Sequence, residues 1–132
     1  MISFSDIKNS SWQCVHFALP EQASSGKKEL STSSVVTFEI DALSMKDDEM
    51  LFSEISKALD FPDYFGSNWD ALDECLADME WNEADGYALF ITNAGRLWSD
   101  AAYTAGKLVS VWQSIAEQWS QENKPFHLVF VL

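Results

Sequence analysis

Apolar residues in this chain gather into short dense runs separated by polar breaks, and the spacing within the runs takes two forms. Residues 35–40 (VVTFEI), 87–92 (YALFIT) and 127–132 (HLVFVL) are nearly continuous branched and aromatic stretches, as strands buried on both faces require. Elsewhere the apolar positions follow a helical period: Met50, Leu51, Ile55 and Ala58 fall near it, and Trp69, Leu72, Leu76 and Met79, then Leu108, Trp112, Ile115 and Trp119, recur at three- and four-residue steps. Each set forms one face of a helix. The spacing predicts a helix over residues 47–59, capped by Ser44 or Asp47. It predicts a second from Ser67 through the Met79 region, and a third over 100–121, as one long helix or two because Gly106 weakens its middle. Residues 12–19 (WQCVHFAL) suit a further short strand, whereas 20–34 (PEQASSGKKELSTSS) offer nothing to bury and read as an exposed connection. Gly86 and the Asn93-Ala94-Gly95 run mark turns, and Pro125 stops the last helix. Strands alternating with helices imply an α/β fold, a small and largely parallel three-stranded sheet packed by helices, with the extra N-terminal strand added at an edge. One domain over 1–132 is expected, with 1–34 as an extension and 35–132 as its core.

The stretch 61–81, FPDYFGSNWDALDECLADMEW, organises the rest. Pro62 ends the preceding helix and Gly66 allows a tight turn. Ser67 with Asp70 three positions later matches a capping box, so a helix is expected to start there. Asp70, Glu74 and Asp78 stack at four-residue steps with Asp73 beside them. Between Lys57 and Arg96 there is no lysine or arginine but nine carboxylates: Asp60, Asp63, Asp70, Asp73, Glu74, Asp78, Glu80, Glu83 and Asp85. Like charges at helical spacing cost roughly 0.2–0.5 kcal/mol per pair. Asp70 is favoured near the positive end of its helix, whereas Glu74 and Asp78 lie beyond the reach of the dipole and have no such compensation.

Charge extends this local picture to the whole chain. Twenty-one acidic against eight basic residues give a net charge of −13, which excludes direct binding to nucleic acid or an anionic membrane and favours a basic partner. An apolar content of 47% excludes disorder in spite of that charge. No apolar run reaches the roughly 20 residues of a membrane span, and residues 1–10 lack a secretory pattern, so a cytoplasmic location is expected. Cys14, Cys75, His16 and His127 lack paired ligand spacing; buried thiols and ordinary histidines are expected, with no metal and no cofactor. Cys75 falls on the inner side of the acidic helix, and Trp112 and Trp119 read as core.

The run Phe61-Pro62-Asp63-Tyr64-Phe65-Gly66, followed by Asn68, Asp70-Ala71-Leu72 and Cys75-Leu76, resembles the barstar family of ribonuclease inhibitors. In that family a Pro-acid-aromatic-aromatic-Gly loop runs into an Asn-x-Asp-Ala-Leu helix. The resemblance implies a stoichiometric inhibitor, monomeric when free, whose loop and acidic helix plug the active site of a secreted, basic ribonuclease in a 1:1 complex. It implies loop contacts from Tyr64, Phe65 and Gly66, helix-start contacts from Asn68 and Trp69, and anionic contacts chiefly from Asp70 and Glu74. Asp73, Ala77 and Asp78 complete the helix face, and Glu117 is the counterpart of an acid on the last helix, with Glu122 close behind. The chain departs from the founding member at several of these places. Glu74 stands for an aspartate, Asp73 for a tryptophan, Ala77-Asp78-Met79 for Thr-Gly-Trp, and Phe65 for a second tyrosine. With these changes the resemblance implies the same mode of action against a different toxin, and a role as an immunity protein is expected.

Two further functions fit the composition. An acidic adaptor for some other basic protein would need the same exposed helix. A hydrolase using two carboxylates would need one acid with a raised pKa, and the chain carries no G-x-S-x-G, H-E-x-x-H, P-loop or dinucleotide-binding glycine pattern. No enzymatic activity is expected.

Overall fold

The computed structural model describes residues 14–63 and 65–132. The predicted strand at 12–19 is found as β1, Val15–Ala18; Trp12 and Gln13, and the loop residue Tyr64, lie outside the described residues. The three other predicted strands are β2 (Val35–Asp41), β3 (Gly86–Thr92) and β4 (Phe126–Val131). All pair in parallel in the order β1-β4-β3-β2, with Val15 opposite Leu128, Leu89 opposite Leu128, and Val35 opposite Gly86. The fold is α/β as expected, and β1 forms one edge of a four-stranded sheet.

Alternation along the strands divides the core in two. Ile40, Leu89, Ile91, Leu128 and Phe130 point to the larger half, where they meet helices α2 (Asp48–Leu59), α3 (Trp69–Asp78), α4 (Ala94–Asp100) and α5 (Ala102–Ser120). Val35, Ala88, Phe90, Val129 and Val131 point the other way, toward helix α1 (Pro20–Leu30).

Helix α1 corrects the reading of residues 20–34 as an exposed connection. Pro20 opens it, where a missing N–H costs nothing, and the Gln22 side chain accepts from the Leu19 amide at 3.0 Å. Its buried residues are Ala23, Gly26 and Leu30, a helical stripe made mostly of side chains too small to register as hydrophobic periodicity. The hydroxyls of Ser31, Thr32 and Ser33 donate to the carbonyls of Lys28, Glu29 and Leu30, occupying acceptors left open at the helix end. The serine-rich run that suggested a loop is thus the end of a helix.

Other boundaries differ by smaller amounts. Asp47, rather than Ser44, caps α2: its Oδ1 accepts from the Met50 amide at 2.9 Å, while Ser44 closes a 3₁₀ turn at Ala42–Ser44. The turn expected at 93–95 starts α4, a short helix missed in the sequence, with Asn93 left-handed at φ 54°. Gly106 leaves α5 unbroken. It is exposed, and a Cβ there would meet nothing within 4 Å. Gly86 is the first residue of β3 rather than a break before it, and is glycine because a Cβ would stand 2.5 Å from Pro125 Cγ.

Candidate functional site

The loop after α2 is built from the inside. Asp60 turns the chain in a left-handed conformation, and the Phe61 amide donates back to Ser56 O at 3.0 Å. Phe61 is buried, and the edge of the Phe65 ring meets it at 5.0 Å. A turn closed by Phe65 N–H donating to Pro62 O at 3.0 Å brings Phe65 back to the core, where it also approaches Phe52 at 6.3 Å. Phe65 is therefore half-buried, and much of its ring serves to anchor the loop. Gly66 is exposed with its amide geometry in an ordinary region; the left-handed residue is Ser67, at φ 52°.

That turn moves the helix start by one residue from the expected position. Asn68 is the cap, its Oδ1 accepting from the Ala71 amide at 2.8 Å while Leu72 N–H donates to Asn68 O at 2.9 Å. The capping box of Ser67 with Asp70 does not form, because Ser67 is in the left-handed turn and Asp70 lies exposed in the first helical turn.

Helix α3 is fastened by its apolar side. Leu72, Leu76 and Met79 are fully buried, with Cys75 between them. Two indoles hold it, Trp69 Nε1 donating to Asp48 Oδ2 and Trp119 Nε1 to Leu76 O, and a third ties the turn that follows it to the end of α2, Trp81 Nε1 donating to Leu59 O, each at 3.0 Å. Trp69 is half-buried, and Met79 ends the helix in a left-handed conformation at φ 49°. Held on that side, the helix has no rotational freedom to hide its other face.

The other face carries the charge. All nine carboxylates from Asp60 to Asp85 are exposed. Among the described residues the ion pairs are Lys27 with Glu39 and Arg96 with Asp100, neither of which touches them. Asp70, Glu74 and Asp78 share one helical stripe, with Asp73 and the exposed Ala77 alongside. Ala77 leaves the backbone open to close approach. Glu117 is exposed on α5, the helix that packs against α3 through Trp119 and Leu76. Of the expected site residues, those from Phe65 to Asp78 thus lie on one continuous loop and helix, Glu117 comes from a neighbouring helix, and Tyr64 is outside the described residues.

The field of these acids reaches inward. The Cys75 thiol is pushed above its ordinary value by burial first, then by Asp78 and Glu74. Burial pushes Cys14 up as well, against a backbone hydrogen bond that lowers it. Both thiols are free. His16 and His127 meet at 2.8 Å between their ring nitrogens, and among the described residues no group of three or more His, Cys, Asp or Glu is arranged to hold a metal.

The family described as Barstar (barnase inhibitor) matches the chain over residues 35–131. This chain belongs to the barstar family. The match spans β2 to β4 and the whole acidic surface, and it starts where α1 and its serine cap end. No curated protein matches the chain. The barstar fold here carries β1 and α1 in addition to the matched region, and the family's loop and helix are the two elements just described.

Asp48 is a residue of this region that sequence reasoning did not single out. It was legible as an acid in the first turn of α2, but its bonds to Trp69 and Thr104 join residues 21 and 56 positions apart. Local patterns carry no such signal.

Proposed function

We propose that this barstar-family chain is a stoichiometric 1:1 inhibitor of a basic ribonuclease, that it acts in the cytoplasm as an immunity protein against a toxin, and that it turns over no substrate. The observation that carries this reading is the acid stripe of α3, exposed and paired with no cation among the described residues. A cleft evolved to hold RNA phosphates presents Arg, Lys and His at roughly the spacing of a polyanion. Carboxylates one helical turn apart, on a helix that cannot rotate, offer the same charges without a scissile bond. Long-range attraction speeds the encounter, and hydrogen bonds between ionised groups slow dissociation. The change from Asp to Glu at 74 and from Trp to Asp at 73, relative to the founding member, suits a different cognate toxin.

The test is direct. Mixed with a basic ribonuclease, the first candidate being any encoded beside it, the purified protein is expected to form a 1:1 complex and abolish RNA cleavage. Asp70→Ala and Glu74→Ala are each expected to weaken that complex by about 2 kcal/mol or more, a magnitude taken from interface hot spots in general, the family's founding complex among them. Unchanged affinity in both variants would remove the acid stripe from the binding account. A complex that leaves RNA cleavage intact would point to an adaptor, and turnover of a small substrate to a hydrolase.

A further inference from the structure

Helices α2, α3 and α5 begin at one place. Asp48 opens α2, Trp69 opens α3, and Thr104 lies in the first turn of α5. A single carboxylate joins them: Asp48 Oδ2 accepts from Trp69 Nε1 at 3.0 Å, and Oδ1 accepts from Thr104 Oγ1 at 2.6 Å. Each helix start carries partial positive charge, so an anion is favoured at their meeting point. Thr104 is buried, and Asp48 and Trp69 are half-buried. The contact continues from there into the loop, because the Trp69 ring stands edge-on to Phe52 at 4.9 Å and Phe52 meets Phe65 at 6.3 Å.

We propose that Asp48 is a positioning residue for partner binding, which fixes Trp69 and through it the start of α3 and the loop residues 65–68 before the partner arrives. The proposal rests on the inhibitor reading and adds a residue that need not touch the partner. Side chains and loops ordered on binding subtract from affinity, so a surface held in place beforehand dissociates more slowly. Asp48 holds it by two directional bonds, and its charge is secondary to them.

Asp48→Asn and Asp48→Ala separate these contributions because both remove the same charge. Asparagine keeps an oxygen for the Trp69 N–H and an amide that the Thr104 hydroxyl accepts from, whereas alanine keeps neither. Two quantities are measured: amide hydrogen exchange over residues 65–72 in the free protein, and the dissociation rate from the ribonuclease. Asp48→Ala is expected to speed both by about tenfold, as loss of hydrogen bonds to a charged group predicts, and Asp48→Asn to stay near wild type. Unchanged exchange in Asp48→Ala, or equal losses in the two variants, overturns the proposal. Should Asp48→Ala fail to fold, Thr104→Val, nearly isosteric, carries the test: smaller increases in both rates support it, and wild-type rates overturn it. Wild-type protein that binds no ribonuclease overturns the inhibitor reading, and with it any role of Asp48 in binding.

Discussion

Asn68 sets where the acidic helix begins. Had Ser67 been the cap, the helix would begin one residue earlier with Asn68 in its first turn, while the buried Leu72, Leu76 and Met79 would still decide which face is outward. Asn68→Ala is expected to cost about 1 kcal/mol in a urea titration, with Asn68→Asp near wild type because it keeps the acceptor. Two adjacent residues able to cap a helix are indistinguishable in the sequence. The left-handed backbone at Ser67 decides between them, and it follows from the way Phe65 is pulled back onto Phe61 and Phe52. Phe65 illustrates the same limit: an aromatic in a loop reads as a contact, but where the core lies under it the ring is shared with the interior. Gly86 gives a simpler residue-scale expectation. Gly86→Ala forces a Cβ into Pro125 and should lower stability by about 1–3 kcal/mol, read from the same titration.

Among the elements, those with large buried side chains were legible and those with small ones were not. Helices α2, α3 and α5 bury Leu, Ile, Phe and Trp at clean helical steps, and β3 and β4 are buried runs with almost no polar interruption, while β2, at the sheet edge, alternates its branched and aromatic residues with Thr37, Glu39 and Asp41. Helix α4 is a single pair of turns burying Ala94 and Leu97, and α1 buries Ala23, Gly26 and Leu30. Neither leaves a hydrophobic pattern strong enough to outweigh its glycine and serine. Helix α1 nevertheless covers a sheet face that the family match leaves bare on its own. A chain beginning at residue 34 would expose Val35, Ala88, Phe90, Val129 and Val131. It is expected to bind a hydrophobic dye and aggregate, and a truncated protein with a wild-type melting curve would show that α1 is dispensable. The acid stripe was legible because charge needs no tertiary information, whereas the tie from Asp48 to Trp69 and Thr104 was not, since it exists only once three helices have met.

At the scale of the whole molecule, the net charge of −13 favours rapid encounter with a cation and opposes compaction of the chain itself. The buried ionisable groups add a pH limit on the alkaline side. Cys14, Cys75 and Tyr87 all lie above their ordinary values of 9.0, 9.0 and 10.0, each chiefly through burial. In the unfolded chain they ionise at those ordinary values, while in the folded chain they hold their protons longer. Their contribution to stability is therefore complete at neutral pH and is lost as pH rises past 9 through the folded values. A urea midpoint lower at pH 10.5 than at pH 7.5 is expected, with both thiols slow to react with a thiol reagent in the native state.

The parallel pairing of β1 with β4 has a consequence for synthesis. His16 and His127 touch across those strands although 111 positions separate them. During translation β1 emerges before β2, β3 and the helices between them, and its hydrogen-bonding neighbour β4 follows all of these. Until β4 arrives β1 has no partner strand, so its pairing is a long-range closure, slow by its topology and open to capture by chaperones.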